Sequence, residues 1–175
     1  MSLLAAEPDV SAGFADPHLT RALREAVDSA LMMCATQARC VGVSIVPGRE
    51  VGKITGLIGV HGRVSGFITV NMAERVAIRA VEGLLQDRFG QLTAQVVDGA
   101  GEITNLIVGG IKSHLAGTPW SFSHITIPSV IVGHGYQIAY ARGLEFVCLT
   151  FEHTDEQSLV LDDRLLQVSI SLLKL

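Results

Sequence analysis

The chain has few cysteines and no long apolar run. Its three cysteines, Cys34, Cys40 and Cys148, form no C-x-x-C pair, so free thiols in a reducing compartment are the simplest interpretation. Although 49% of the residues are hydrophobic, no apolar run of about 18 residues or more occurs, which excludes a transmembrane helix. A signal peptide is not expected either, and we therefore expect a cytoplasmic protein.

The sequence also lacks the motifs of several functional classes. With a formal net charge of −4 and no basic stripe, a nucleic-acid partner is not expected. The six histidines form neither H-x-H nor H-E-x-x-H, so we expect no metal site in this chain. Serine-hydrolase, P-loop and dinucleotide-binding motifs are missing as well. We therefore expect no cofactor of its own.

Hydrophobic spacing predicts an α+β fold. Helices are expected from residue 17 to about 37, from about 73 to 85 and from about 92 to 116. Residues 61–62 are expected to form a two-residue turn, and residues 158–175 are compatible with strand or helix. Strands are expected at 40–46, 53–60, 64–70, 123–127, 129–132, 137–140 and 144–151.

The order of these elements predicts how they are arranged. We predict a flexible tail of residues 1–16 followed by a single domain of residues 17–175. A mainly antiparallel sheet is expected to be covered on one face by the three helices.

The predicted third helix carries a polar face. Its members follow at steps of four, three, four and three residues, which places them on one side of a helix: Asp98, Glu102, Asn105, Gly109 and Lys112. A solvated helix surface explains such residues equally well, and the helix alone favours that interpretation.

Two details of the same helix argue for a contact rather than a plain solvated face. Asn105 has a low helix propensity, and each of the glycines at 99, 101, 109 and 110 costs about 1 kcal/mol relative to alanine. These losses indicate that something comes close to the helix, which is either its own sheet or a docking protein.

The segment Asp98-Gly-Ala-Gly-Glu102-Ile-Thr-Asn105, followed by Pro128, resembles the motif of the CheC/CheX/FliY phosphatase family. That motif has Asp or Ser, Glu four residues later, Asn three further on, and Pro after a gap of 22 residues, which residues 106–127 fill here. Residues 56–66 resemble the family's central hairpin, and residues 127–133 resemble the strand after its long helix. The resemblance covers roughly residues 19 to 151.

The resemblance implies a CheC/CheX-like fold and a phosphatase acting on the phospho-aspartate of a CheY-like response-regulator receiver domain. Asn105 would position the attacking water and Glu102 would pair with the receiver's lysine. Asp98, Gly109 and Lys112 would contact the partner, and Mg²⁺ would be supplied by the receiver. Pro128 would shape the strand behind the helix.

The resemblance also bears on site number and assembly. The CheC branch has a second motif on its first helix, but here Glu25-Ala-Val-Asp28 has aspartate where asparagine is needed. One site is therefore expected, as in CheX. The resemblance to CheX implies a homodimer in which the sheet continues across the two chains. Residues 64–70 and 137–151 are the candidate unpaired edges for this pairing.

Two other functions are compatible with the same fold. The first is a non-catalytic module that holds a receiver or a CheD-like protein, as in a CheC-like inhibitor of receptor (MCP) methylation. The second is a structural role such as that of flagellar-switch proteins. The intact pair of Glu102 and Asn105 favours the phosphatase.

Overall fold

The computed structural model of the chain describes residues 15–154 and 158–175. It contains three α-helices and seven β-strands. One helix precedes the first three strands, and the other two helices precede the last four strands. A short 3-10 helix over Leu161–Arg164 lies directly before the last strand. The helices are α1 (Pro17–Met33), α2 (Glu74–Leu85) and α3 (Ala94–His114), and the strands are β1 (Ala38–Ser44), β2 (Ile54–Gly62), β3 (Val64–Met72), β4 (Phe122–Ile125), β5 (Ser129–Val132), β6 (Glu145–His153) and β7 (Leu165–Lys174).

The seven strands form one sheet in the order β1-β6-β7-β3-β2-β4, with β5 also paired to β2. Every strand pairing in the described part of the chain is antiparallel. The two short strands β4 and β5 share the outer edge of β2, where Val60 is opposite Ile125 and Gly56 is opposite Val130. The predicted α+β class with a mainly antiparallel sheet is confirmed.

The hydrophobic core lies between the sheet and the three helices. Alternate residues of the central strands point into it, as the two-residue period of a strand requires; Ile58, Ile68 and Ile170 are examples, and all are fully buried. The helices contribute apolar faces that include Leu23, Val81 and Ile107. The predicted covering of one sheet face by helices is therefore confirmed.

The other face of the sheet is partly covered by an irregular segment, residues 133–144. The ring of Tyr140 stacks on Phe67 with centroids 5.3 Å apart and meets the edge of Phe146 at 4.8 Å, and the Tyr136 hydroxyl donates to Thr55. The predicted strand at 137–140 is therefore wrong. Residues 137–140 contact the sheet face through the Tyr140 ring, and they belong to none of the described strands.

Both predicted sheet edges are wrong as well. Residues 64–70 belong to β3, which lies between β7 and β2, and β6 lies between β1 and β7. The cause is the C-terminal segment, whose strand β7 inserts between β6 and β3. Within the described residues, the outer strands are β1 on one side and β4 with β5 on the other.

Smaller differences concern the ends of elements. The hairpin turn is centred on Arg63 rather than on residues 61–62, because His61 pairs with Ser65 and β2 continues through Gly62. Helix α1 ends at Met33, four residues before the predicted end. Residues 1–14 of the predicted tail lie outside the described residues. Asp16 caps α1 by accepting a hydrogen bond from the His18 amide at 2.8 Å.

Candidate active site on helix α3

Helix α3 is fixed by a capped start and a fully buried inner side. The Thr93 hydroxyl accepts a hydrogen bond from the Val96 amide at 3.2 Å, as expected of an N-cap. Ile103, Ile107 and Ile111 are fully buried. This anchoring leaves the opposite side of the helix facing solvent.

The structure brings the predicted site residues together on that outer side. Asp98, Glu102 and Asn105 are exposed, and Gly109 and Lys112 are partly exposed. Within residues 15–154 and 158–175, no hydrogen bond or ion pair engages the side chain of Glu102 or Asn105. A carboxylate and a carboxamide one helical turn apart are therefore both available to a partner.

The glycines of α3 divide into two kinds. A methyl group on Gly99 would lie 2.6 Å from Val81 of α2, one on Gly110 would lie 3.0 Å from Ala26 of α1, and one on Gly101 would lie 3.4 Å from Val130 of β5. These three positions pack against the protein's own elements. In the part of the chain that the structure describes, a methyl group on Gly109 would meet nothing within 4 Å, so packing against these residues does not account for this glycine.

Pro128 lies at the border of the polar face. Its Cγ is 3.8 Å from the place that a Gly101 Cβ would take. Asp98 precedes Gly101 by three residues and Asn105 follows it by four, so all three lie on neighbouring parts of the helix surface. The motif proline is thus next to the motif's polar residues in space.

Sequence reasoning missed two residues near this face. Thr104 is fully buried, donates to the Ala100 carbonyl at 2.8 Å and lies on Gly56 of β2. Ile127 directly precedes Pro128 and is 88% exposed. The position of Ile127 beside the motif proline was the available signal; nothing in the sequence indicated the contact between Thr104 and Gly56.

The first helix does not present a comparable pair. The Glu25 carboxylate is 2.9 Å from Arg21 and 3.0 Å from His114, and the hydrogen bond from Arg21 lowers its pKa. Glu25 is therefore engaged within the protein, whereas none of the described residues engages the Glu102 side chain. Asp28 is exposed and occupies the place of the motif's asparagine.

Neither the Cys34 thiol nor a metal-binding cluster provides a second candidate site among the described residues. Burial raises the pKa of the Cys34 thiol to about 11, which makes it a poor nucleophile. In the described part of the chain, no group of three or more His, Cys, Asp or Glu side chains is placed to hold a metal ion. None of the described helices has the length and apolar character needed to cross a membrane.

Comparison with solved structures places the fold among CheC/CheX-like chemotaxis proteins. A chemotaxis protein CheX from Vibrio vulnificus matches with a TM-score of 0.73 and 23% identity, over 89% of this chain and 99% of that one. A chemotaxis protein from Desulfovibrio vulgaris Hildenborough matches with a TM-score of 0.75 and 23% identity, over 89% and 96% of the two chains.

A third similar structure is a complex. CheX from Borrelia burgdorferi, solved with CheY, BeF₃ and Mg²⁺, matches with a TM-score of 0.69 and 19% identity, over 88% of this chain and 97% of the other. Comparison with curated proteins gave no match. The family model of chemotaxis phosphatase CheX matches residues 54–152. The chain belongs to the CheX family.

Proposed function

We propose that this protein removes the phosphoryl group from the phospho-aspartate of a CheY-like receiver domain, with Asn105 positioning the attacking water and Glu102 docking to the receiver's lysine. The observation that carries the proposal is the joint exposure of these two side chains on α3, at the family's spacing and without an internal partner among the described residues.

The chemistry requires little more than a positioned water. A phospho-aspartate is an acyl phosphate and already reactive, and the receiver supplies Mg²⁺ and a lysine around the phosphoryl group. Holding one water in line with phosphorus lowers the remaining barrier. The Asn105 carboxamide suits this role because its C=O accepts from the water, its NH₂ donates to the site, and it carries no charge that would repel the phosphoryl oxygens.

Glu102 supplies the docking contact. It lies one turn before Asn105 on the same side of α3, so it can reach a lysine at the rim of the receiver's site while Asn105 enters that site. An ion pair removed from water fixes the register of two proteins as much as it adds affinity. Asp98, Gly109 and Lys112 would extend this contact along the helix.

Two comparisons support a receiver as the partner. The family is described as a chemotaxis phosphatase, and a structural neighbour was solved bound to CheY. We also propose that the protein acts in the cytoplasm, where such a receiver would be found.

The decisive experiment measures the decay of a phosphorylated receiver with the wild-type chain and its variants. Asn105→Ala should abolish the acceleration and leave receiver binding largely intact, because only water placement is lost. Glu102→Ala should weaken binding and activity together. Gln37→Ala, which removes an exposed carboxamide outside α3, and Asp28→Ala should both behave as wild type.

One outcome would favour a different function. If Asn105→Ala accelerates decay as fast as wild type, the phosphatase proposal is wrong. A non-catalytic module that holds a receiver or a CheD-like protein would then be the better account.

We also propose that the chain forms a homodimer. Unpaired sheet edges invite pairing with another copy, and in the described residues the outer strands are β1 on one side and β4 with β5, both paired to β2, on the other. On β1, Val41 is 45% exposed. Light scattering that shows a monomer at micromolar concentration would contradict this proposal.

A further inference from the structure

We infer that Ile127 is a docking residue that contacts an apolar patch on the receiver beside the phosphorylated aspartate and thereby helps to select among receivers. The inference rests on the proposed function and adds a specificity determinant to it.

The position of Ile127 next to the candidate active site makes its exposure relevant to function. A single exposed apolar side chain needs no explanation by itself, but Ile127 is 88% exposed at the border of the candidate active site. Pro128, the next residue, packs beside Gly101 of α3, between the levels of Asp98 and Asn105 on that helix. Ile127 thus adjoins the residue that borders the candidate site, so we expect a receiver that brings its phosphoryl group to Asn105 to reach the surface around Ile127.

The backbone holds Ile127 in place on both sides. The Thr126 amide donates to the Gly59 carbonyl at 2.9 Å, and the Gly59 amide donates to the Thr126 hydroxyl at 2.9 Å. That hydroxyl also donates to the Ile127 carbonyl at 3.1 Å. On the other side, the ring of Pro128 fixes its own φ. A side chain presented by a rigid link loses little conformational entropy when a partner covers it.

An apolar contact can distinguish one receiver from another, whereas the contacts of Asn105 and Glu102 cannot. In the proposed mechanism Asn105 places a water at the phosphoryl group and Glu102 pairs with an active-site lysine, and all receivers of this type share these two groups. Specificity is a difference between affinities for alternative partners, so shared groups cannot provide it. An apolar anchor within a polar rim is a common way to provide it, and Ile127 is the exposed large aliphatic residue next to the motif proline.

The test uses the full chain. Among the phosphorylated receivers of the source organism, it uses the one whose dephosphorylation the wild-type chain accelerates most. The rate is followed against receiver concentration for Ile127→Ser, Ile127→Val and Leu159→Ser. Leu159 is 98% exposed and lies outside the α3 face, which makes it a matched control. Ile127→Ser should raise KM about tenfold with kcat little changed, because an apolar contact of this size is lost. Ile127→Val and Leu159→Ser should stay close to wild type.

The outcomes separate this inference from the proposed function. An unchanged KM in Ile127→Ser, or an equal rise in KM in Leu159→Ser, overturns the inference and leaves the phosphatase standing. A fall in kcat with KM unchanged overturns it too, because docking would not be what Ile127 provides. No acceleration of any receiver by the wild-type chain defeats both. Thermal unfolding of each variant checks that it is folded.

Discussion

Thr104 of α3 lies directly on Gly56 of β2, and a methyl group at Gly56 would overlap the Thr104 hydroxyl. Thr104 is fully buried, and its hydroxyl donates to the Ala100 carbonyl at 2.8 Å. A glycine within a strand allows this close approach of another element. The contact sets the distance between the helix and the sheet at the residue immediately before Asn105.

Gly56→Ala should therefore disturb both stability and the candidate site. Overpacking of a filled core costs about 1–3 kcal/mol, so the free energy of unfolding measured in urea should fall by that amount. Because the helix must move to admit the methyl group, receiver dephosphorylation should fall as well. Gly42→Ala is the control, since the one described residue within 4 Å of a methyl group there is Thr150, at an ordinary contact distance of 3.8 Å. Equal stability of the two variants would show that the contact does not constrain the helix.

The polar face of α3 could be predicted from sequence because it depends on local spacing alone. Asp98, Glu102 and Asn105 share a side of any helix that contains them. The position of β7 could not be predicted, since its insertion between β6 and β3 depends on pairings distant in sequence. The contact of Thr104 with Gly56 is likewise long-range. The loop at 137–140 could not be predicted either, since the Tyr140 ring contacts Phe67, a residue distant in sequence.

Gly109→Ala should separate helix stability from docking. A methyl group at this position meets no atom of the described residues within 4 Å, so the higher helix propensity of alanine should stabilise the fold by about 1 kcal/mol. The same methyl group would obstruct a partner that lies close to α3, so receiver affinity should fall. Calorimetric unfolding and receiver titration provide the two measurements. If the Gly109→Ala variant is stabilised and still binds the receiver as tightly as the wild type, Gly109 is not part of the docking surface.

A matched glycine on the inner side should behave in the opposite way. A methyl group at Gly99 would lie 2.6 Å from Val81, so Gly99→Ala should lower the melting temperature even though its helix propensity improves.

Two glutamates should give the stability opposite dependences on pH. Burial raises the pKa of Glu50 above its ordinary value of 4.5. The stability associated with protonated Glu50 is therefore full below pH 4.5 and is lost as the pH rises through the folded-state pKa. Glu50→Gln should stabilise the protein at pH 7 and have little effect in acid. A Glu50→Gln variant that is no more stable than wild type at pH 7 would contradict this.

Glu82 provides the contrast. Its carboxylate accepts from the Phe89 amide at 2.9 Å and the Gly90 amide at 3.1 Å, and these hydrogen bonds lower its pKa. Its contribution is present above the ordinary value of 4.5 and is lost as the pH falls through the lowered pKa. Glu82→Gln should therefore destabilise the protein at pH 7, with the difference shrinking in acid. Urea unfolding at several pH values measures both variants.

Phosphatase activity should require Mg²⁺, and the ion should belong to the receiver. A magnesium site needs several oxygen ligands in a near-octahedral arrangement, and Asn105 would provide only a contact to water in the proposed mechanism. Chelation should therefore abolish the accelerated decay, whereas calorimetric titration of the chain alone with Mg²⁺ should give no binding at micromolar concentration. Tight Mg²⁺ binding by the isolated chain that is lost in Asn105→Ala would contradict the mechanism, because Asn105 would then act as a metal ligand rather than as a water-positioning residue.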